Sequence, residues 1–189
     1  RLCKNKKLYY GEKFNDSKKM DWKKWEQLTD MDLNHTWRGK YFAQFVDNND
    51  KTVMDLGCGN RFIEPFLPKG CKYIPVDYCS RGYSDMTICD FDKKEFPDKK
   101  ADVIVLLSVL QWIDHPLWMI DEISQHVNKK VLFHYITPLK STDKEVIAKR
   151  ESEGIKNHFP IPYIISQFNK HGLILSEKSR IRVKDNRFE

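Results

Sequence analysis

Short apolar runs separated by polar or glycine- and proline-bearing turns fill the middle of the chain. Thr52 to Leu56, Tyr73 to Asp77, Met86 to Phe91, Ala101 to Leu107 and Val131 to Ile136 each read as a strand. Ala101 to Leu107 is the most uniformly apolar, which suits the centre of a sheet covered on both faces. Between them, Arg61 to Leu67 and Leu117 to His126 read as helices. Strands alternating with helices predict an α/β fold: a Rossmann-like, doubly wound, mostly parallel sheet.

The flanks follow other patterns. Arg1 to Lys19 is polar, with Tyr9-Tyr10-Gly11 as its aromatic feature, and reads as an irregular arm. Asp21 can cap a helix through Trp22, Trp25 and Leu28, and Leu33 to Val46 forms a second helix with Trp37, Tyr41, Phe42 and Phe45 on one side. Asp47-Asn48-Asn49-Asp50 stops it. After the fifth strand, Lys140 to Asn157 reads as a charged helix, and Phe159-Pro160-Ile161-Pro162 breaks it. A last helix through Ile164, Ile165 and Phe168 ends at Gly172. Leu173 to Leu175 then gives a sixth strand and Ile181 to Val183 a seventh, with the completeness of that last strand left open.

Length and composition narrow this to one domain over residues 1–189, with an arm and helices at 1–51, a core at 52–139, and helices and strands at 140–189. With 40% hydrophobic and 32% charged residues the chain is neither disordered nor membrane-spanning, and the N-terminal residues lack a signal-peptide core. Five cysteines without a C-x-x-C pair argue against a disulfide framework or zinc site, and for a reducing, cytoplasmic setting. The net charge of +6 is uneven: 1–51 and 140–189 each carry +4, and 52–139 carries −2. Basic flanks favour an anionic acceptor, although lysine-rich surfaces also serve solubility. The basic residues are interleaved with acids, and no RNA-binding module is recognisable, so a nucleic-acid surface is disfavoured.

Candidate chemistry begins at Thr52-Val53-Met54-Asp55-Leu56-Gly57-Cys58-Gly59-Asn60. The strand ends in glycines separated by one residue, which lets the backbone turn sharply and approach a ligand. The strand at Tyr73 to Asp77 ends in a carboxylate 18 residues beyond Gly59, where a nucleoside-binding sheet holds a ribose diol. The third glycine of a dinucleotide fingerprint would fall on Phe62, so NAD and flavin are disfavoured.

Asp55-Leu56-Gly57-Cys58-Gly59 closely resembles the D-x-G-x-G motif of the class I S-adenosylmethionine-dependent methyltransferases. The resemblance runs from about Thr52 to Pro138 with its motifs in order. It implies S-adenosylmethionine as cofactor, a seven-stranded sheet whose last strand runs in reverse, and N-terminal lid helices. It places the methionine portion at Gly57 to Gly59, with Cys58 as a filler and Asp55 ordering the turn or a water. It gives the ribose to Asp77, beside Tyr78, and the adenine to Asp90 and Phe91. Ser108, where the acceptor segment begins, joins the pocket. Arg38 is the candidate for the methionine carboxylate, and Tyr10 is a weaker one.

The D/N-P-P-Y/F signature of many amino-group methyltransferases is absent from Ser108-Val109-Leu110-Gln111-Trp112-Ile113. The expected acceptor is therefore a hydroxyl of a small molecule or sugar-like glycoconjugate. An RNA or protein acceptor, or a cofactor-binding module without turnover, are the alternatives. A hydroxyl needs a proton acceptor, and His134 and His115, near the carboxyl ends of strands, are the candidates.

Overall fold

A computed structural model describes residues 6–14, 33–136, 144–184 and 187–188. Its strands are β1 (Lys6–Phe14), β2 (Thr52–Leu56), β3 (Lys72–Asp77), β4 (Thr87–Ile88), β5 (Ala101–Leu107), β6 (Val127–Tyr135), β7 (Leu173–Lys184) and β8 (Arg187–Phe188). Its helices are α1 (Leu33–Ala43), α2 (Pro116–His126), α3 (Lys144–Ser152) and α4 (Ile161–Lys170). Among the described residues the strands form one sheet in the order β4-β3-β2-β5-β6-β1-β7-β8. β1 to β7 pair in parallel, and only β8 is antiparallel.

Strand alternation divides the core between the two faces. Met54, Leu56, Ile104, Leu106, Val131, Phe133 and Tyr135 pack with Met119, Ile120 and Ile123 of α2 and with Ile161, Ile164 and Phe168 of α4. Val53, Val103, Val105 and Leu132 pack on the other face with Phe42 and Ala43 of α1. Phe42 is fully buried, worth about 2–3 kcal/mol of transfer free energy. Both faces are thus covered, as a parallel sheet requires.

Several expectations are corrected. The arm expected over 1–19 contains β1, whose register sets Tyr10 opposite Phe133 and Gly11 opposite His134. Lys6-Lys7-Leu8 shows no alternation, and pairing with β6 and β7 overrides weak local preference. Leu173–Leu175 and Ile181–Val183 belong to one strand, β7, and the reverse strand is the two-residue β8. Seven strands, β1 to β7, pair in parallel among the described residues, the short β8 adds an eighth in reverse, and β1 lies between β6 and β7. Arg61–Leu67 forms turns and a short 3-10 segment over Glu64–Phe66, because Pro65 and Pro68 deny the amides a longer helix needs. Only Thr87–Ile88 of Met86–Phe91 is strand. The helix expected over Leu33–Val46 ends at Ala43, and that over Lys140–Asn157 spans Lys144–Ser152. The Asp21 to Leu28 helix lies outside the described residues. No described helix is long and apolar enough to cross a membrane.

Candidate active site

The carboxyl ends of β2, β3 and β5 open onto a cavity of about 530 Å³. Its floor is the turn after β2. The amides of Gly57 and Cys58 both donate to Val76 O, at 2.8 and 3.0 Å, which ties the turn to β3. Gly57 has φ +67° and a Cβ there would meet Val109 Cγ2 at 2.6 Å, so the position excludes side chains twice over. A Cβ on Gly59 would meet no atom within 4 Å, so that backbone faces open space in the cavity wall.

Asp77 holds the turn from the side. Its Oδ2 accepts from Gly59 N at 2.8 Å, its Oδ1 from Tyr78 N at 2.8 Å, and Arg81 Nε lies 3.5 Å from Oδ2. The carboxylate keeps acceptor capacity for a diol, since its two oxygens offer about four lone-pair sites. Tyr78 is half-exposed on the cavity wall. Cys58 is buried, with its thiol 3.4 Å from Met86 Sδ, and burial pushes its pKa up, which makes it a poor nucleophile.

Asp55 is different. It lines the cavity, yet burial raises its pKa to about 7, against the hydrogen bond from Tyr73 Oη at 2.7 Å and with the charge of Asp77 adding to the rise. Among the described residues it forms no ion pair. Arg61 packs over the Tyr73 and Tyr83 rings, at 5.2 and 4.8 Å, but gives its charge to Glu64 and Asp85.

Asp90 and Phe91 form another part of the wall. The Lys93 side chain holds the Asp90 carboxyl below its usual range, and Asp92 N donates to Oδ1 at 3.1 Å. Arg38 enters from α1, which approaches closely because Gly39 has no side chain: a Cβ there would sit 2.2 Å from Phe62 O. Arg38 Nη1 donates to Ser108 Oγ at 2.7 Å, and Ser108 Oγ lies 2.5 Å from His134 Nδ1.

The histidines expected as bases do not line this cavity. His134 is buried beneath Ser108, and His115 is exposed at the amino end of α2. The Tyr10 side chain lies outside the described residues. The structure adds His35, stacked on Phe62 at 5.2 Å, and also Arg81, Trp112, Ile113 and Lys156. The i, i+3 spacing of His35 and Arg38 on one helix could have signalled His35. Lys156 had no local signal. It arrives because Asn157 Nδ2 donates to Leu110 O and Ile113 O, at 3.0 and 2.5 Å, and its ammonium bridges Asp92 and Asp114.

The family model described as "Methyltransferase domain" matches residues 24–178. The chain belongs to the methyltransferase family. No curated protein matches the sequence. Among solved structures, a chain from the complex of the Haloferax volcanii Trm112 methyltransferase activator with a proposed methyltransferase is similar at 19% identity and TM-score 0.59, covering 85% of this chain and 80% of that one. A proposed methyltransferase from Bacillus halodurans C-125 follows at 14% identity and TM-score 0.53, covering 72% and 68%. The [4+2]-cyclase SpnF shares the fold at 14% identity and TM-score 0.51, covering 90% of this chain and 64% of its own. This methyltransferase uses S-adenosylmethionine. The open backbone at Gly59, the acceptor capacity of Asp77, and Asp55, which forms no ion pair among the described residues, are compatible with that cofactor.

Proposed function

We propose that this methyltransferase acts on a hydroxyl of a small molecule or sugar-like glycoconjugate. The carrying observation is the single cavity holding both the cofactor residues and an apolar wall of Val109, Trp112 and Ile113. At about 530 Å³ it is of small-molecule size, and a cofactor takes much of it, which leaves room for a small acceptor or one group of a larger one. Bound S-adenosylmethionine supplies an electrophilic methyl group on sulfonium.

The chain's residues bind, align and exclude water. In this reading Gly57, Cys58 and Gly59 border the methionine portion, Asp77 accepts from the ribose with Tyr78 beside it, and Asp90 and Phe91 take the adenine. Asp55 faces the ammonium and Arg38 the carboxylate. His35 lines the wall one turn before Arg38, and is placed to take the proton that an attacking hydroxyl releases. The base role expected of His134 or His115 passes to it, since neither of those imidazoles borders the cavity. The fold alone does not fix an acceptor.

Calorimetry with S-adenosylhomocysteine and NAD, on wild type and Asp77→Ala, tests the cofactor half. S-adenosylhomocysteine should bind and NAD should not, with Asp77→Ala about ten- to a hundredfold weaker. Transfer of labelled methyl to a panel of phenols, sugars, amines and RNA tests the acceptor half. Labelling of RNA or amines ahead of every hydroxyl overturns it.

A further inference from the structure

Resting on the placement of the cofactor's carboxylate at Arg38, we infer that the Ser108–His134 pair is the positioning device that aims the Arg38 guanidinium into the cavity. Arg38 comes from α1, a different layer from the sheet that carries the glycine turn, and its long side chain has several rotatable bonds whose ordering costs free energy. Among its contacts is Ser108 Oγ, at 2.7 Å, on the residue that follows β5.

The donors available fix the direction of one of the two hydrogen bonds. A guanidinium only donates, so Ser108 Oγ accepts from Arg38. For the other, we take the serine's own proton to go to His134 Nδ1, 2.5 Å away, in the tautomer that carries the ring proton on Nε2. His134 is 1% exposed and held in the sheet between Leu107 of β5 and Gly11 of β1, so its ring is a rigid reference point. A serine oxygen whose proton is drawn away presents its lone pairs to Arg38.

The backbone agrees. Ser108 has φ +66°, a left-handed conformation that disfavours any side chain but glycine's absent one. Ser108 N donates to His134 O at 3.0 Å, so main chain and side chain of the same histidine hold the strained residue. That conformation sets Oγ between Arg38 and His134. His134 thus acts through Ser108 and Arg38 and not on the acceptor, which accounts for a buried imidazole beside, but not on, the cavity wall.

The test compares S-adenosylhomocysteine with 5′-methylthioadenosine, which lacks the amino-acid portion. Both are titrated into wild type, Arg38→Ala, Ser108→Ala, His134→Leu and His134→Asn, with thermal unfolding to confirm that each variant is folded. Ser108→Ala and His134→Leu should weaken S-adenosylhomocysteine about tenfold and leave 5′-methylthioadenosine unchanged. His134→Asn, whose Oδ1 can replace Nδ1 as acceptor, should restore most of the loss. Equal weakening of both ligands, or no change in either, overturns the inference. If Arg38→Ala itself leaves the difference between the ligands unchanged, the placement of the carboxylate fails. If Arg38→Ala abolishes that difference but Ser108→Ala does not, the placement stands and the positioning role fails. Should His134→Leu not fold, Ser108→Ala and His134→Asn still decide the matter.

Discussion

The two ends of the central strands treat their carboxylates in opposite ways. At the amino ends, Lys130 Nζ meets Asp47 at 2.6 Å, Asp50 at 2.9 Å and Phe45 O at 3.0 Å. Lys129 bridges Asp50 and Asp102, and Lys51 N donates to Asp102 at 2.7 Å. The Lys130 hydrogen bond lowers the pKa of Asp47, and the Lys51 amide and Lys129 outweigh burial at Asp102 and lower its pKa too. At the carboxyl ends, Asp77 has two amides and Arg81 at 3.5 Å, while Asp55 has a neutral tyrosine hydroxyl and a pKa of about 7. One end is neutralised by the fold itself. The other leaves a carboxylate for which a bound cation would be the missing partner, and such perturbed groups concentrate where ligands bind.

The largest effect should come from breaking the neutralised end. Lys130→Met keeps the buried stem volume but removes the ammonium from Asp50, which is 3% exposed. We expect a loss of about 2–4 kcal/mol in urea unfolding, because the buried Asp50 keeps only the more distant, half-exposed Lys129 and the Asp47 amide. Affinity for S-adenosylhomocysteine should stay within about twofold, since an intact cavity keeps its hydrogen bonds. A large loss of affinity would show that the two ends are not independent.

Asp55 should show the reverse behaviour, seen in pH. Its carboxyl has a raised pKa, so between the unfolded value near 4 and the folded value of about 7 the folded chain holds a proton that the unfolded chain has lost. The stability this contributes is complete below the unfolded value and falls as pH rises through 7. From pH 5 to 8 the ligand-free chain should therefore lose about 2 kcal/mol on this account, and Asp55→Asn should lose none of it. Saturating S-adenosylhomocysteine should flatten the wild-type slope by favouring the ionised form. Parallel slopes for wild type and Asp55→Asn would remove the contrast between the two ends.

Much of the site end could be read in the sequence because its parts are local. Glycines flanking Cys58 and an acid at the tip of the next strand carry their geometry with them, and Asp55, Asp77, Asp90, Phe91 and Arg38 all line the cavity. β1 could not be read, since Lys6-Lys7-Leu8 becomes a strand only through β6 and β7. The burial of His134 was half legible: alternation puts it opposite Phe133 and Tyr135, but not beneath Ser108, which depends on a left-handed serine. Lys156 depends on side chains reaching back to the loop after β5, and spacing along the chain says nothing of that.

The smallest effect tests whether the neutralised end is a set of pairs or one unit. Lys129 is 42% exposed, so its attraction to Asp50 and Asp102 is screened by water and salt. Removing it leaves Asp50 with Lys130 and the Asp47 amide at 2.8 Å, and leaves Asp102 with the Lys51 amide. Lys129→Gln should therefore cost only about 0.5 kcal/mol, and less at high salt. Lys130→Met should change the answer, because Asp50 then has Lys129 as its remaining ammonium among the described residues. In the double variant the second substitution should cost about 1 kcal/mol more than it does alone, a coupling that a double-mutant cycle in urea measures directly. Strict additivity would mean that Asp50 is satisfied by the amide alone. The amino end would then owe its stability to hydrogen bonding more than to charge.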